Sequence, residues 1–229
     1  MKIYGLQKMT LLDYPGKVAC TVFLGGCDMR CPFCHNAELI DGTAPAVMET
    51  PELMDFLRKR QGLLEGVAVT GGEPLLRGEV TDLLKEIRSL GYPVKLDTNG
   101  THPDRLREIL EKDLAQYVAM DIKNSSERYA ETAGLRQIDL GPVRESVSLL
   151  MGFGTEYEFR TTVVDQLHDE DSFRGIGSWI SGAEKYFLQK FTDRDTVPFG
   201  GFSAPADERM QAYAEIVRPF VPSVAIRGG

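Results

Sequence analysis

Residues 17–36, KVACTVFLGGCDMRCPFCHN, join a buried strand to a cluster of thiols. Lys17–Leu24 (KVACTVFL) is a short apolar run rich in β-branched residues, the pattern of a strand covered on both faces. The chain then passes Gly25-Gly26 and places Cys27, Cys31 and Cys34 in C-x3-C-x2-C spacing. Thiolates are soft ligands suited to iron–sulfur clusters or zinc. A structural zinc site closes with four protein ligands. His35 adjoins Cys34, so both would struggle to face one ion. Cys20 lies inside the apolar strand and reads as a small buried hydrophobe. Three cysteines without an evident fourth leave one iron of a 4Fe–4S cubane open to a non-protein ligand. A zinc knuckle and a set of free thiols are the competing readings.

Outward from this segment, apolar β-branched runs alternate with helical patterns. Further strands are expected at Gly66–Thr70, Val94–Thr98, Tyr117–Lys123, Tyr157–Val164 and Lys185–Thr192. Helices are expected at Glu79–Leu90, Pro103–Glu111, Val143–Met151, Ser172–Ser181 and Asp207–Val217, with a short terminal strand at Val221–Arg227. In Glu79–Leu90 the residues Val80, Leu83, Leu84, Ile87 and Leu90 fall on one helical face. Pro103 stands near a helix start, where proline is tolerated. Six β/α repeats in series imply a parallel sheet with helical crossovers. A full eight-fold barrel takes roughly 250 residues, so 229 residues fit a partial (β/α)6 TIM-type barrel, with a doubly wound open sheet as the competing arrangement. No composition shift marks a boundary, and residues 1–229 are expected to form a single domain. Thr192–Pro205, rich in Gly, Pro and Asp, reads as a surface loop.

The chain is 42% hydrophobic and 26% charged, which suits a globular core without disulfide staples. A net charge of −8 speaks against nucleic-acid binding through a basic surface. No apolar run approaches the ~20 residues of a membrane span, and Asp13, Pro15 and Lys17 interrupt any signal-peptide core. A cytoplasmic protein is expected. Three of the four cysteines cluster within eight residues, unlike the dispersed cysteines of a secreted disulfide scaffold.

Polar groups punctuate the strand ends: Gly71-Gly72-Glu73-Pro74, Asp97-Thr98-Asn99-Gly100, then Asp121 and Lys123. In parallel β/α architectures, ligands bind at this edge. The cysteine triad after a first strand, followed by GGEP after a second, resembles the radical S-adenosylmethionine superfamily. TVFLGGCDMRCPFCHN, TGGEP, LDTNG and MDIK look like the activating enzymes of glycyl-radical proteins. The opening GLQKMTLLDYPGKVACTVFLGGC looks most like the branch of anaerobic ribonucleoside-triphosphate reductase activating proteins, and is similar also to pyruvate formate-lyase activating enzyme.

The resemblance implies a cluster held by Cys27, Cys31 and Cys34, with S-adenosylmethionine on the open iron. Reductive cleavage would give a 5′-deoxyadenosyl radical that abstracts a hydrogen from a glycine of a partner enzyme, anaerobic ribonucleotide reductase being the leading candidate. Gly71 and Gly72 would let the backbone approach the cofactor, and Glu73 would accept from its ammonium group. Phe33 would pack near the adenine. Asp97, Thr98 and Asp121 resemble the polar cluster at the methionine end, which in the pyruvate formate-lyase activating branch supports a monovalent cation. Lys123 would neutralise the carboxylate, and Arg160 would point toward the same site. A strand-end salt bridge is the plain alternative for Asp121 and Lys123, and His35 would tune the cluster through a hydrogen bond. Gln189 stands loosely where some such activases carry histidine. With no second group of cysteines, the electron is expected from an external reductant such as flavodoxin or ferredoxin. A 7-carboxy-7-deazaguanine synthase-like enzyme is the competing small-molecule function, although that family often departs from C-x3-C-x2-C. A noncatalytic zinc module is the remaining alternative.

Overall fold

Seven parallel strands in the order in which the chain makes them organise the protein. The computed structural model describes residues 1–228. A two-stranded ribbon pairs β1 (Lys2–Ile3) with β4 (Met48–Glu49). The main sheet begins with β2 (Gly5–Thr10), antiparallel to β3 (Ala19–Leu24). It continues through β5 (Gly66–Gly71), β6 (Val94–Thr98), β7 (Tyr117–Asp121), β8 (Glu156–Val163), β9 (Lys185–Lys190) and β10 (Ser223–Arg227), all parallel. The crossovers carry α1 (Thr50–Arg58), α2 (Glu79–Ser89), α3 (Pro103–Glu111), α4 (Tyr129–Thr132), α5 (Gly141–Phe153), α6 (Glu170–Trp179) and α7 (Asp207–Val217).

The order β2-β3-β5-β6-β7-β8-β9-β10 never reverses. A doubly wound sheet needs such a reversal, so this is a barrel wound one way. Its two end strands do not pair with each other, and the barrel stays open. The partial barrel is therefore as expected, extended by one parallel strand, since residues 223–227 pair with β9 over five residues. Arg227 helps to anchor β10: its guanidinium binds the buried Glu158 of β8 at 2.6 and 2.7 Å and lies over the Phe187 ring.

The core lies between the sheet and its helices. Val80, Leu83, Leu84 and Ile87 of α2 are buried with Val67, Val69, Val94 and Leu96, as the spacing of α2 requires. Elements β1, β2, β4, α1 and α4 escape the sequence pattern. β2 alternates weakly and is largely exposed. Helix α1 opens with a capping box, in which Glu52 accepts from the Glu49 backbone N–H at 2.9 Å. Strand β7 stops at Asp121, two residues short of the expected end, and α6 starts and stops two residues earlier than expected. Because side chains alternate along strands, Val118 and Met120 enter the helix-covered core while Asp121 joins the charged cluster across β6–β8.

Candidate active site

The loop after β3 is held by backbone contacts on several sides. Gly26 N–H donates to Leu39 O at 2.7 Å, and Cys27 N–H to Ile40 O at 2.9 Å. Arg30 N–H donates to Ala133 O at 2.8 Å. Gly72 N–H and Glu73 N–H donate to Leu24 O and Gly26 O at 2.9 and 2.7 Å. A β-carbon on Gly71 would lie 2.2 Å from Leu24 O, and one on Gly72 would lie 2.0 Å from Gly26 O. These glycines are thus demanded by the close approach of two backbone segments, a reason the sequence reading placed on the cofactor instead.

Cys27, Cys31 and Cys34 line one cavity of about 250 Å³ at the C-terminal ends of the strands. Around them stand Phe33, Gly71, Gly72, Asp97, Thr98, Asn99, Asp121, Lys123, Arg160 and Gln189. All the expected residues except Glu73 therefore meet here, brought from six strands far apart in sequence. Thr70 and Thr162 also line the wall; lying at strand ends on the same edge was the only sequence signal for them.

Glu73 departs from its expected place. It is buried and lines a neighbouring cavity. Its carboxylate accepts from Leu75 N–H at 2.9 Å, Thr98 Oγ1 at 2.8 Å and Asn99 N–H at 2.6 Å. Its oxygens are spent on tying the β5 turn to the β6 turn. Burial pushes the Glu73 carboxyl up to about 7, against the pull of these three donors. His35 lines the thiol cavity as well: its Nε2 sits 2.6 Å from Thr192 O, and its ring stacks on Phe191 at 5.5 Å between centroids. Phe33 meets the same Phe191 edge-on at 6.4 Å.

A chain of five charges runs along β6, β7 and β8. Lys95 is buried and pairs with Asp97. Arg160 Nη2 lies 3.1 Å from Asp97 Oδ2, and its Nε donates to Asp121 Oδ1. Lys123 Nζ donates to Asp121 Oδ2 at 2.9 Å. The backbone register places Asp121 opposite Arg160. Burial opposes the charges on Asp97, Asp121, Lys123 and Arg160. Arg160, Lys95 and Lys123 nevertheless hold the two carboxyls below the usual range, and Asp121 holds Lys123 above its own. Of these five, Asp97, Asp121, Lys123 and Arg160 line the cavity, and the N–H donors of the two cations suit an anionic group such as a carboxylate.

Asp28, within the cysteine loop, was not singled out in the sequence. Its carboxylate accepts from Asn99 Nδ2 at 2.7 Å and Thr101 Oγ1 at 2.5 Å. His102 Nε2 lies 3.2 Å away. Burial pushes Asp28 up, but His102, Thr101 and Asn99 outweigh it and hold the carboxyl at about 2.

The model of the radical SAM superfamily matches residues 21–172, from β3 into α6. The chain belongs to the radical SAM superfamily. Along 98% of its length it is 28% identical to a protein of Methanocaldococcus jannaschii provisionally named a glycyl-radical enzyme activating enzyme, covering 95% of that relative. It is 31% identical over 54% of its length to the pyruvate formate-lyase-activating enzyme of Clostridium pasteurianum, covering 52% of that protein. The 7-carboxy-7-deazaguanine synthase of Methanopyrus kandleri matches 78% of the chain at 28% identity and is covered over 75%. Among solved structures, Streptococcus suis SuiB bound to the precursor peptide SuiA shares the fold at a TM-score of 0.71 and 15% identity. That match covers 91% of this chain and about half, 48%, of SuiB.

A radical SAM protein implies a 4Fe–4S cluster and S-adenosylmethionine, and the residues present fit both. The three thiols share one cavity, and thiolates are soft ligands suited to an iron–sulfur cluster. Burial pushes the Cys27 thiol up to about 12 and also raises Cys31 and Cys34, so it is the metal that would make thiolates of them. The Lys123 and Arg160 N–H donors beside the thiols suit the carboxylate of the cofactor.

Proposed function

We propose that this protein is a glycyl-radical enzyme activase, and that its partner is an anaerobic ribonucleoside-triphosphate reductase. The observation that carries the reading is one cavity joining three thiols to the Lys123 and Arg160 cations, in a fold whose length is matched almost end to end by an activase-like relative. Cys27, Cys31 and Cys34 hold the cluster. The bound cluster and S-adenosylmethionine supply one-electron reductive cleavage, the source of the radical.

The chain's own residues bind, orient and exclude water. Lys123 and Arg160 receive the cofactor carboxylate, with Asp97 and Asp121 fixing both cations. The Gly71–Gly72 backbone and Thr98 line the methionine end, and Glu73 positions that wall without touching the cofactor. Phe33, braced on Phe191, covers the adenosyl end. The monovalent cation expected at Asp97, Thr98 and Asp121 finds its donors already engaged: Arg160 bridges both carboxylates and Thr98 donates to Glu73. The electron comes from an external carrier of the flavodoxin or ferredoxin kind.

The test is anaerobic incubation of the reconstituted protein with reductant, S-adenosylmethionine and the reductase. A doublet electron paramagnetic resonance signal is expected on the partner, and Cys31→Ala should abolish both cluster and signal. Cofactor cleavage with no signal on any glycyl-radical enzyme would overturn the activase reading in favour of small-molecule chemistry.

A further inference from the structure

The loop carrying Cys27 is gripped from outside the cysteine motif by the turn after β6. Asn99 is buried, with its backbone N–H held by Glu73 Oε2 at 2.6 Å. Its side-chain oxygen accepts from Thr101 N–H at 3.0 Å. That bond orients the amide, so Nδ2 points to Asp28 Oδ1 at 2.7 Å and stands 4.0 Å from Cys27 Sγ. Met29 N–H donates to the same sulfur at 3.4 Å. Thr101 Oγ1 and His102 close the far side of Asp28. Two opposite influences therefore reach one sulfur: an N–H dipole aimed at it, and a carboxylate on the adjacent residue.

We propose that Asp28 and Asn99 form a clamp that sets the reduction potential of the cluster through Cys27. The clamp rests on the cluster reading above. Hydrogen bonds to ligating sulfurs and the net charge around a cluster are the protein's main levers on its potential. A carboxylate beside the thiolate opposes the incoming electron and lowers the potential. The Asn99 amide stabilises the added charge and raises it. Both residues are positioning residues, since they act on the cluster through Cys27.

The test uses the full chain, reconstituted anaerobically with iron and sulfide, and follows the reduced-cluster electron paramagnetic resonance signal through a redox titration. Asp28→Asn removes the charge with little change of shape and should shift the midpoint upward. Asn99→Ala removes the donor and should shift it downward. Iron per chain, measured on each, shows that the cluster is retained. Unchanged midpoints, or shifts in the same direction, overturn the clamp. If a single variant fails to hold iron, the exchange of the two groups decides. Asn99→Asp sets two carboxylates together and should lose iron, whereas adding Asp28→Asn restores one amide facing one carboxylate and should recover it. A double variant no better than Asn99→Asp also overturns the clamp. Wild-type protein that takes up no iron refutes the cluster reading instead.

Discussion

Replacing Arg160 with methionine tests the charge chain at its centre. Its guanidinium touches Asp97 and Asp121 together, so its loss leaves two acids with only Lys95 and Lys123. Breaking a buried ion pair from one side costs about 3–5 kcal/mol. The Asp97 and Asp121 side chains keep 15% and 27% exposure, so water relieves part of this and about 3 kcal/mol is expected. For a chain of this length that corresponds to a fall in melting temperature of about 6–12 °C. The effect has a pH signature. Both carboxyls are held below their unfolded values, so they contribute stability above the unfolded pKa, roughly 3.9, and lose it as pH falls through the folded pKa. Arg160→Met removes the main attraction, so the gap to wild type should be full at pH 7, persist down to about pH 4 and narrow only below the unfolded pKa of roughly 3.9. Thermal and urea melts of the metal-free protein from about pH 2 to pH 7, across the unfolded pKa, measure it. A variant within about 1 kcal/mol of wild type at pH 7, or a gap that does not narrow in acid, would refute the reasoning.

Further expectations concern the walls of the site. Glu73→Gln should flatten stability against pH: the raised Glu73 carboxyl stabilises the fold fully below about 4.3, and that contribution disappears as pH rises through about 7. Urea titrations of both proteins at pH 4, 5.5 and 7.5 check this, and equal slopes would contradict it. Gly72→Ala drives a β-carbon to 2.0 Å from Gly26 O and should sharply reduce iron retention while circular dichroism keeps the helical signal. Phe191→Ala removes the rings' common support for Phe33 and His35. A loss of about 3 kcal/mol in urea melts is expected, together with weaker binding of S-adenosylmethionine by calorimetry.

Much of the architecture was legible because the parallel strands are continuous apolar runs and most helices carry one clean face. Strand β2 was hidden because GLQKMT has no strong alternation and becomes a strand only by pairing with β3. Helix α1 announced itself through an unusual N-cap, Glu49, rather than the serine, threonine, aspartate or asparagine that mark most helix starts. β10 owes its anchoring to Arg227 meeting Glu158 across 69 residues, which no local pattern reveals. The site was legible at the strand ends, since parallel topology brings them to one edge. Its partnerships were not. Glu73 looks like a ligand group until Thr98 and Asn99 are seen to occupy it, and Asp28 is an ordinary loop residue until the β6 turn arrives.

The uninterrupted strand order bears on how the protein is made. The cysteines follow the first parallel strand, whereas Arg160, Thr162 and Gln189 come from the fifth and sixth. During synthesis the three thiols emerge well before the walls that shelter them. Until β8 and β9 have docked they remain open to oxygen and to stray thiophilic metals, and only afterwards is the chamber complete. Delivery of iron and sulfur is thus best timed to follow translation, and slow folding of the last third of the chain would show first as damaged cysteines rather than as lost helix.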